Sequence, residues 1–317
     1  MTSPLLDLPG AVEADAPDTG VAAHYGSFVH EQRALLAGTA FVDLSNREVV
    51  TIFGPDRLTW LHALTTQHLE SLPAGQPTDV LLLSPQGRIE HGFAGVDDGE
   101  TFWAHTEPGA ASALIDFLER MKFMSRVELT DVTAEHAVTG HVTSTPDGPL
   151  LSYRLHPRAD LATLPDVLGT PAGTWAWDAL RIEAGLPRVG VDTDDRTIPN
   201  EVGLLNLAVH LDKGCYRGQE TVARVHTLGR PPRRAVRLLL DGSAEHLPPT
   251  GSDVTLEGAV VGRVGSSARH HELGPVAFAV VKRSVDPAAT LSADGVAASQ
   301  ELIVDPEVGL HVRPVLR

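Results

Sequence analysis

The most informative segment of the chain is residues 213–224, Lys-Gly-Cys-Tyr-Arg-Gly-Gln-Glu-Thr-Val-Ala-Arg. Gly214 and Gly218 flank the segment around the chain's single cysteine, Cys215. Glycines let a backbone turn sharply or approach a ligand closely. From about Gln219 the spacing becomes helical, so we expect Cys215 just ahead of a helix N-terminus. The pattern therefore predicts a glycine-framed thiol at the start of a helix.

Two basic residues, Lys213 and Arg217, bracket Cys215. A helix N-terminus and nearby positive charge both favour the thiolate over the thiol, so we expect a reactive and partly exposed sulfur. The alternative from local physics alone is a small buried hydrophobic residue, which is how a free cysteine is often used. The immediate neighbours of Cys215 leave both interpretations open.

The longer pattern, Lys-Gly-Cys-Tyr-x-Gly-Gln-Glu followed by x-x-Ala-Arg, resembles the signature of the YgfZ-type folate-binding proteins. That family supports the maintenance of iron–sulfur clusters and is related to the glycine-cleavage T-protein, a folate-dependent aminomethyltransferase. The matching positions are Lys213, Gly214, Cys215, Tyr216, Gly218, Gln219, Glu220, Ala223 and Arg224. A chance match at this many fixed positions is improbable.

The resemblance extends well beyond the cysteine segment. Arg181–Pro187 resembles the Arg-x-Glu-Ala-Gly step of both families, and Phe41–Ser45 resembles their N-terminal strand. Gly262–Ser266 and Leu273–Pro275 are similar to parts of their C-terminal barrel. The likeness therefore covers nearly everything from about Tyr25 to Val304.

The order of predicted elements indicates an α+β fold with antiparallel sheets, because strands and helices mix without a regular parallel repeat. After Pro231 the chain changes to short strands separated by Gly, Pro, Asp and Ser, which is typical of a small all-β barrel. The resemblance implies a GcvT-like multidomain arrangement around a central folate cleft. We expect a flexible leader over residues 1–24, two interleaved α+β units over 25–230, and a C-terminal β-barrel domain over 231–317.

Several local patterns predict particular elements. The apolar stretches Phe41–Leu44 and Val49–Phe53 predict two strands paired with each other. Val80–Leu83 and Arg88–Val96 predict a hairpin across a Pro/Gly turn. Leu186–Leu204 is a long loop, and loops of that length are usually either functional or disordered.

Composition limits the classes of function. The chain has 317 residues, a formal net charge of −16 and a pI near 5.3. A surface this acidic repels phosphate backbones and anionic lipid. We therefore expect no direct nucleic-acid partner and no membrane partner. One cysteine excludes an internal disulfide and a four-cysteine metal site, and it fits a reducing compartment. With no export signal and no long apolar run, the expected location is cytoplasmic.

The resemblance implies that tetrahydrofolate, or a derivative, binds in a cavity between domains. A pterin presents a row of N–H donors, and Glu183 is the carboxylate expected to accept from them. The alternative for Glu183 is a surface glutamate near a helix end. Tyr216 is expected either to stack on a ring or only to pack. Gly218, Gln219 and Glu220 are expected to complete that side of the site.

The anionic glutamate tail of folate should be bound by arginine. The densest basic stretch of the chain contains Arg224, Arg230, Arg233, Arg234 and Arg237. We expect Arg224 to contribute, with Arg233 or Arg234 as further candidates. A solvated hinge between domains is the alternative for the last three arginines of that stretch.

The chain departs from the aminomethyltransferase pattern. The T-protein uses an aspartate pair after a Gly-Gly step, and the matching stretch here, Gly87–Phe93, has His91 and Gly92 at those positions. Glu90 and His91 could form an acid–base pair only if both faced one cavity, and neighbours on a strand point to opposite faces. The histidines show no metal-type spacing, so no metal site is expected. Glycine cleavage is therefore not the expected reaction.

Three functions remain open from the sequence. In the first, folate occupies the cleft of an accessory factor for iron–sulfur clusters, and Cys215, with Lys213 beside it, is the functional thiol. One thiolate cannot hold a [4Fe–4S] cluster, so its contact would be transient and shared with client or assembly proteins, including radical tRNA-modifying enzymes. The second is a tetrahydrofolate-dependent aminomethyltransferase or demethylase acting on a small amine. The third is a folate-binding module without a cluster role.

Overall fold

The structure, a computed structural model, describes residues 1–310. Its strands are β1 (Val12–Glu13), β2 (Ala22–His24), β3 (Ala40–Asp43), β4 (Glu48–Phe53), β5 (Pro77–Leu83), β6 (Ile89–Asp97), β7 (Thr101–Thr106), β8 (Glu128–Asp131), β9 (His136–Thr145), β10 (Gly148–Pro157), β11 (Thr170–Ala172), β12 (Arg233–Leu240), β13 (Asp253–Leu256), β14 (Ala259–His270), β15 (Gly274–Lys282), β16 (Leu291–Ala293) and β17 (Val296–Leu302).

The helices are short and lie mostly between the strands. They are α1 (Phe28–Leu36), α2 (Arg57–Leu64), α3 (Ala111–Met121), α4 (Leu164–Leu168), α5 (Thr174–Glu183), α6 (Leu205–Ala208) and α7 (Gln219–Leu228). Turns of 3-10 helix cover Pro4–Asp7, Arg158–Thr163 and Pro199–Glu201. Within residues 1–310 no helix is both long enough and apolar enough to cross a membrane.

Two larger sheets form the N-terminal two-thirds of the chain. One has the strand order β10-β9-β3-β11, and the other has the order β5-β6-β7-β4-β8. Their pairings are antiparallel except for β11 beside β3. The expected α+β fold with antiparallel sheets is confirmed.

The strands β3 and β4 follow each other in the chain but belong to different sheets, so their predicted pairing is wrong. Val42 of β3 is aligned with Gly140 of β9, and Val50 of β4 is aligned with Ala104 of β7. The turn between β3 and β4 crosses from one sheet to the other. A short polar turn between two apolar strands fits either arrangement, and only long-range pairing distinguishes a hairpin from a crossover.

The strands β5 and β6 form the predicted hairpin. Val80 is aligned with Phe93 and Leu83 with Ile89. The turn contains Gly87, whose φ of +76° lies in the left-handed region that glycine tolerates best. This hairpin matters for function because its turn and its second strand border the cavities described below.

The first 24 residues are folded onto the rest of the chain, whereas a flexible leader was expected. The Leu5 side chain is 1% exposed and packs in a cluster with Phe41 and Leu161. The amide of Ser3 donates to the carbonyl of Gly20 at 2.7 Å. The apolar positions of this segment are too few to show a period in the sequence, and they find their partners only in the tertiary structure.

The C-terminal strands form the expected barrel. It is closed in the order β12-β15-β14-β13-β16-β17, and its interior is filled by small aliphatic side chains such as Val236, Val254 and Val281. The last predicted strand, Leu302–Val304, begins where β17 ends. The helix α5 packs against β14, which joins the barrel to the N-terminal sheets.

Candidate functional site

The sulfur of Cys215 is exposed, as the sequence predicts. The helix α7 begins at Gln219, and Gly218 ahead of it has a φ of +82°. Tyr216, one residue beyond the cysteine, is only 8% exposed and packs in the main apolar cluster. The segment therefore presents the thiol to solvent while its neighbour anchors it to the core.

The hairpin turn between β5 and β6 packs against the cysteine segment. A Cβ built on Gly87 would lie 2.8 Å from Cβ of Thr221 in the first turn of α7. The backbones of the turn and the helix thus meet at a distance that leaves no room for a side chain at position 87. Two glycines, one in each segment, make this close contact possible.

The ammonium group of Lys213 is buried and points away from solvent. Its Nζ donates to the carbonyl oxygens of Thr65 at 2.7 Å and Gln67 at 3.0 Å, and also to that of His62. Burial lowers the pKa of Lys213 to about 8. The sequence predicts that this charge lies beside Cys215 and favours the thiolate. In the structure the ammonium instead binds backbone carbonyls in the last turns of α2 and just after it.

Arg217 is also engaged by a partner. Its Nη1 lies 2.9 Å from Oε2 of Glu90, and its guanidinium stands 5.5 Å from the ring centre of Phe117. The carboxylate offsets much of the positive charge that was expected to act on the thiol. The exposure of Cys215 is thus confirmed, whereas the two expected cations each have another partner.

A chain of cavities runs along β6. The central cavity, of about 80 Å³, is lined by residues that include Arg47, Asp79, Glu107, Tyr153 and Val189. It lies between the five-stranded sheet, the strand β10 and the loop after α5. Polar and charged groups therefore face a partly open space between these elements.

Two larger spaces adjoin the central cavity. The side pocket, of about 510 Å³, shares Asp79, Ala94 and Tyr153 with it. The hairpin pocket, of about 660 Å³, shares Val189 with it and is also lined by Glu90, the partner of Arg217. These volumes lie in the range of small-molecule sites, roughly 300–1,000 Å³.

The positions that correspond to the aspartate pair of the T-protein carry no carboxylate into the central cavity. A Cβ built on Gly92 would lie 2.7 Å from Cγ2 of Val189, so the valine fills the space that a side chain at position 92 would need. The ring of His91 instead packs 5.5 Å from that of Phe117, and burial lowers its pKa. The structure therefore accommodates the loss of the pair rather than replacing it nearby.

Behind the cavity lies a buried network of ion pairs that the sequence did not predict. Arg188 Nη2 lies 2.6 Å from Glu107 Oε2, and Arg188 Nη1 lies 2.8 Å from Asp18 Oδ2. Arg47 also pairs with Glu107. Burial would raise the pKa of Glu107, but Arg47 and Arg188 overcome it and hold that pKa at about 2. The network ties the first 24 residues and the loop after α5 to the wall of the cavity.

The network continues toward the barrel through the helix α5. Arg181 Nη1 lies 2.8 Å from Asp192 Oδ2 and also pairs with Asp178. The amide of Ser266 on β14 donates to Asp192 at 2.6 Å. The loop 186–204 is therefore held in place by ion pairs and hydrogen bonds. Charged residues within this loop, such as Arg188 and Asp192, are the sequence signal that could have predicted it.

Asp79 is a further residue that the sequence did not single out. Its carboxylate lines both the central cavity and the side pocket. Across residues 1–310 this carboxylate has neither a hydrogen-bond donor nor an ion-pair partner. The Asp79 side chain is exposed to solvent where the two pockets meet, although the protein atoms around it still raise its pKa against the charge of Arg47. The sequence signal for this residue is a carboxylate directly before the apolar run of β5.

Glu183, the expected pterin ligand, lies at the end of α5 beside the barrel. Its Oε2 is 3.0 Å from Nε2 of His270, and it does not line the central cavity, the side pocket or the hairpin pocket. Arg224 is exposed on α7. The structure thus does not gather Glu183, Arg224 and Cys215 around one of these cavities.

The rest of the basic stretch is used within the protein, which corrects its expected role as a folate-tail site or a solvated hinge. Arg233 lies 2.7 Å from Asp194 and 2.8 Å from Glu201. Arg234 is fully buried in the barrel, where its Nη2 donates to the carbonyl of Val285 at 3.0 Å. The partners of the remaining two are Glu301 for Arg237 and Glu307 for Arg230. A local charge count in the sequence cannot reveal carboxylates that arrive from distant segments.

In the part of the chain that the structure describes, no group of three or more His, Cys, Asp or Glu side chains comes together in a way that could hold a metal ion.

Comparisons with known proteins give several relatives. A chloroplastic protein of Arabidopsis thaliana, named as a candidate transferase, is 27% identical over 286 residues, which is 76% of this chain and 65% of that protein. An aminomethyltransferase of Thermotoga sp. (strain RQ2) is 25% identical over 87% of each chain. The tRNA-modifying protein YgfZ of Escherichia coli (strain SMS-3-5 / SECEC) is 42% identical over 82 residues, which is 26% of this chain and 24% of YgfZ. A scan against models of protein families finds no match.

Among solved structures, the glycine cleavage system aminomethyltransferase T of Bartonella henselae has the same fold. The TM-score is 0.78 at 18% sequence identity, over 98% of each chain. The chain thus spans about two thirds of the Arabidopsis relative and about a quarter of YgfZ. It is a relative of the YgfZ and aminomethyltransferase proteins, with a GcvT-like fold.

Proposed function

From this kinship we propose that the chain is a folate-binding accessory protein that supports the assembly or repair of iron–sulfur clusters in client enzymes, including radical tRNA-modifying enzymes. The observation that carries the proposal is the exposed thiol of Cys215 in an otherwise anchored segment. An exposed thiol can meet a cluster or a partner protein, whereas a buried one cannot. The proposal also locates the protein in the cytoplasm, where reducing conditions keep a single thiol free.

In this proposal tetrahydrofolate, or a derivative, occupies the space along β6. The cysteine segment lies on the other side of the hairpin turn that borders the hairpin pocket, since Gly87 contacts Thr221 and Glu90 pairs with Arg217. Bound folate could therefore stabilise the position of the thiol through the hairpin.

The folate contacts taken from the sequence remain part of the proposal. They are Glu183, Tyr216, Gly218, Gln219, Glu220 and Arg224. Of these, Tyr216 and Gly218 act by holding the segment, and Gln219 binds the carbonyl of Lys213 through Nε2 at 3.2 Å. Glu183 would have to release His270 before it could accept from a pterin.

The role proposed for Cys215 is transient. One thiolate supplies one of the four ligands that a [4Fe–4S] cluster usually takes, so a client or assembly protein must supply the others. The positions around Cys215 fit such a contact, because Gly214 on one side is exposed and a Cβ built there meets nothing within 4 Å. A partner surface can therefore approach the sulfur closely.

The alternative is a tetrahydrofolate-dependent aminomethyltransferase or demethylase that acts on a small amine. The aminomethyltransferase relatives favour it, and the loss of the aspartate pair at His91 and Gly92 opposes it. This alternative predicts turnover of a methyl or aminomethyl donor with tetrahydrofolate, and it does not need Cys215. Equal turnover by wild type and Cys215→Ser would favour the transferase.

The first test is a binding titration of the whole protein with tetrahydrofolate, followed by intrinsic fluorescence or calorimetry. The proposal expects saturable binding, and absence of binding at millimolar ligand would reject it. Glu183→Gln is titrated in parallel, because unchanged affinity would remove Glu183 from the site.

The second test concerns the thiol. In a deletion strain, the activities of iron–sulfur enzymes should fall and should recover with the wild-type gene but not with Cys215→Ser. Asp212→Asn, an exposed change in the same segment, is the matched control and should restore activity. Normal activities in the deletion strain would contradict the cluster role.

A further inference from the structure

Asp79 is a carboxylate without a protein partner at the junction of two cavities. It lies on β5 opposite Ala94 of β6, and both residues line the central cavity and the side pocket. Neighbouring Val80 and Leu82 point to the other face of the strand, into the apolar core of the five-stranded sheet. The carboxylate is thus aimed at the cavity by the alternation of the strand, and its oxygens are available to accept hydrogen bonds.

The side pocket leads from Asp79 toward β10. Its walls are largely aliphatic and aromatic, with Val96, Leu151 and Leu155 on them and Tyr153 at the junction with the central cavity. Such walls suit a flat apolar group and offer it few hydrogen bonds. The volume of about 510 Å³ exceeds that of the central cavity, so the bulk of a ligand held at Asp79 has room only on this side.

On β10, the side pocket has a positively charged side chain at its wall. Arg154 lines it, is exposed, and has no hydrogen bond or ion pair to any of the residues from 1 to 310. His156 lines the same pocket, and Arg154 acts electrostatically on both His156 and His141. Arg154 therefore adds a free positive charge to the wall of this pocket in a chain with a net charge of −16. It suits the anionic end of a ligand.

We propose that Asp79 and Arg154 bind the two ends of one elongated ligand, with Asp79 accepting from the amino-pyrimidinone edge of a pterin and Arg154 pairing with the carboxylates at the other end. The inference rests on the proposed function and assigns the orientation of folate within it. The ring between the two ends lies in the side pocket. In this orientation Asp79 takes the pterin contact that the proposed function gives to Glu183, and Arg154 takes the tail contact given to Arg224, so the two assignments are alternatives that the variants below separate.

The chemistry of the two ends explains why these side chains are suited to them. The pterin edge presents an amino group and a ring N–H in parallel, and a carboxylate accepts both at once. A guanidinium fork pairs with a carboxylate in the same two-point manner. Because the Asp79 and Arg154 side chains are both exposed, each contact contributes modestly, and the two-point contact of Asp79 with the pterin edge is the larger of the two.

The test uses the whole protein and two probes, 5-formyltetrahydrofolate and its pteroate analogue, which lacks the glutamate. At low ionic strength, Asp79→Asn should weaken the binding of both probes by about three- to tenfold, since Asn offers one acceptor where two are needed. Arg154→Gln should weaken the binding of the folate about three- to fivefold and leave the pteroate unchanged. Asp166→Asn, on the surface, controls for a change of aspartate.

The outcomes separate the inference from the proposed function. If the wild type binds and Asp79→Asn binds both probes equally well, the inference fails while the proposed function stands. If Glu183→Gln and Arg224→Gln weaken binding instead, the proposed orientation of folate between Asp79 and Arg154 is also overturned. If the wild type binds neither probe, both proposals fail. Thermal unfolding of each variant verifies that a loss of binding does not arise from unfolding.

Discussion

Gly218 lies against Ser84, so close that a Cβ built on Gly218 would stand 2.5 Å from the Ser84 carbonyl oxygen. The same built atom would lie 2.8 Å from Cα of Gly87. The segment that carries the thiol and the hairpin that borders the cavities are therefore in direct backbone contact. A change at this contact should affect both the position of Cys215 and the shape of the hairpin pocket.

Gly218→Ala should destabilise the protein, and Gly214→Ala should not. Gly218 has a φ of +82°, which costs a non-glycine residue about 1–2 kcal/mol, and the clash with Ser84 adds to this. Gly214 has open space around its position and no left-handed φ. Chemical denaturation of the two variants measures the difference, and equal free energies of unfolding would contradict the proposed packing.

Lys213→Ala should lower the free energy of unfolding by about 1.5–3 kcal/mol, because charged hydrogen bonds to the carbonyls of Thr65 and Gln67 are lost. The matched control is Lys122→Ala, whose exposed pair with Glu119 should contribute at most about 0.5 kcal/mol. Denaturant midpoints check both values. A loss as small as that of the control would mean that the Lys213 ammonium is not held by these carbonyls.

Arg188→Ala should be among the most damaging single changes, at about 3–5 kcal/mol, because it leaves the buried carboxylate of Asp18 without a cation and leaves Glu107 with Arg47 alone. Arg126→Ala removes an exposed pair with Asp56 and should lower the free energy of unfolding far less. Thermal or chemical unfolding of the two variants provides the comparison. The first 24 residues should also become more sensitive to protease in Arg188→Ala, since Asp18 anchors them.

Stability should fall as the pH decreases from about 6.5 toward 4. Burial, with the charge of Arg154, lowers the pKa of His141 to about 4, whereas the unfolded chain has the ordinary value of 6.5. The unfolded state thus takes up a proton at higher pH than the folded state, so stability present above pH 6.5 is lost as the pH falls through this window. His105, buried beside Arg47, has a lowered pKa and adds a loss of the same sign.

Unfolding midpoints of wild type and His141→Gln at pH 7, 5.5 and 4.5 measure this effect. The variant should lose less stability over the window, and the exposed change His30→Gln should follow the wild type. An identical pH dependence in His141→Gln and wild type would show that His141 is not responsible.

Local patterns were sufficient for those parts of the fold that depend on neighbours in the chain. The β5–β6 hairpin follows from two apolar stretches and a Pro/Gly turn, and the start of α7 follows from the spacing after Gly218. The exposure of Cys215 also agrees with its polar, glycine-rich surroundings. The relationship to known families rests on the residues of the 213–224 segment, which sequence comparison can use directly.

These local patterns do not predict contacts between residues that are far apart in the chain. The crossing from β3 to β4, the carboxylates that meet Arg233, and the packing of Leu5 all depend on segments far apart in the chain. The position of a charged residue in the sequence does not show which group it will contact in the fold. The sequence therefore predicted Lys213 beside the thiol, whereas its ammonium binds the carbonyls after α2.

The α+β class, the terminal barrel and the glycine-framed thiol can be predicted from the amino-acid order, because each depends on periodicity, turn residues or an extended motif. Which charges face the cavity depends on how distant segments pack together. Asp79 and Arg154 are free to meet a ligand because the strands beside them supply no partner, whereas Glu183 and Arg233 are occupied because the barrel and the loop after α5 bring His270, Asp194 and Glu201 to them. Burial and pairing depend on three-dimensional proximity, and that is the physical information that a linear pattern lacks.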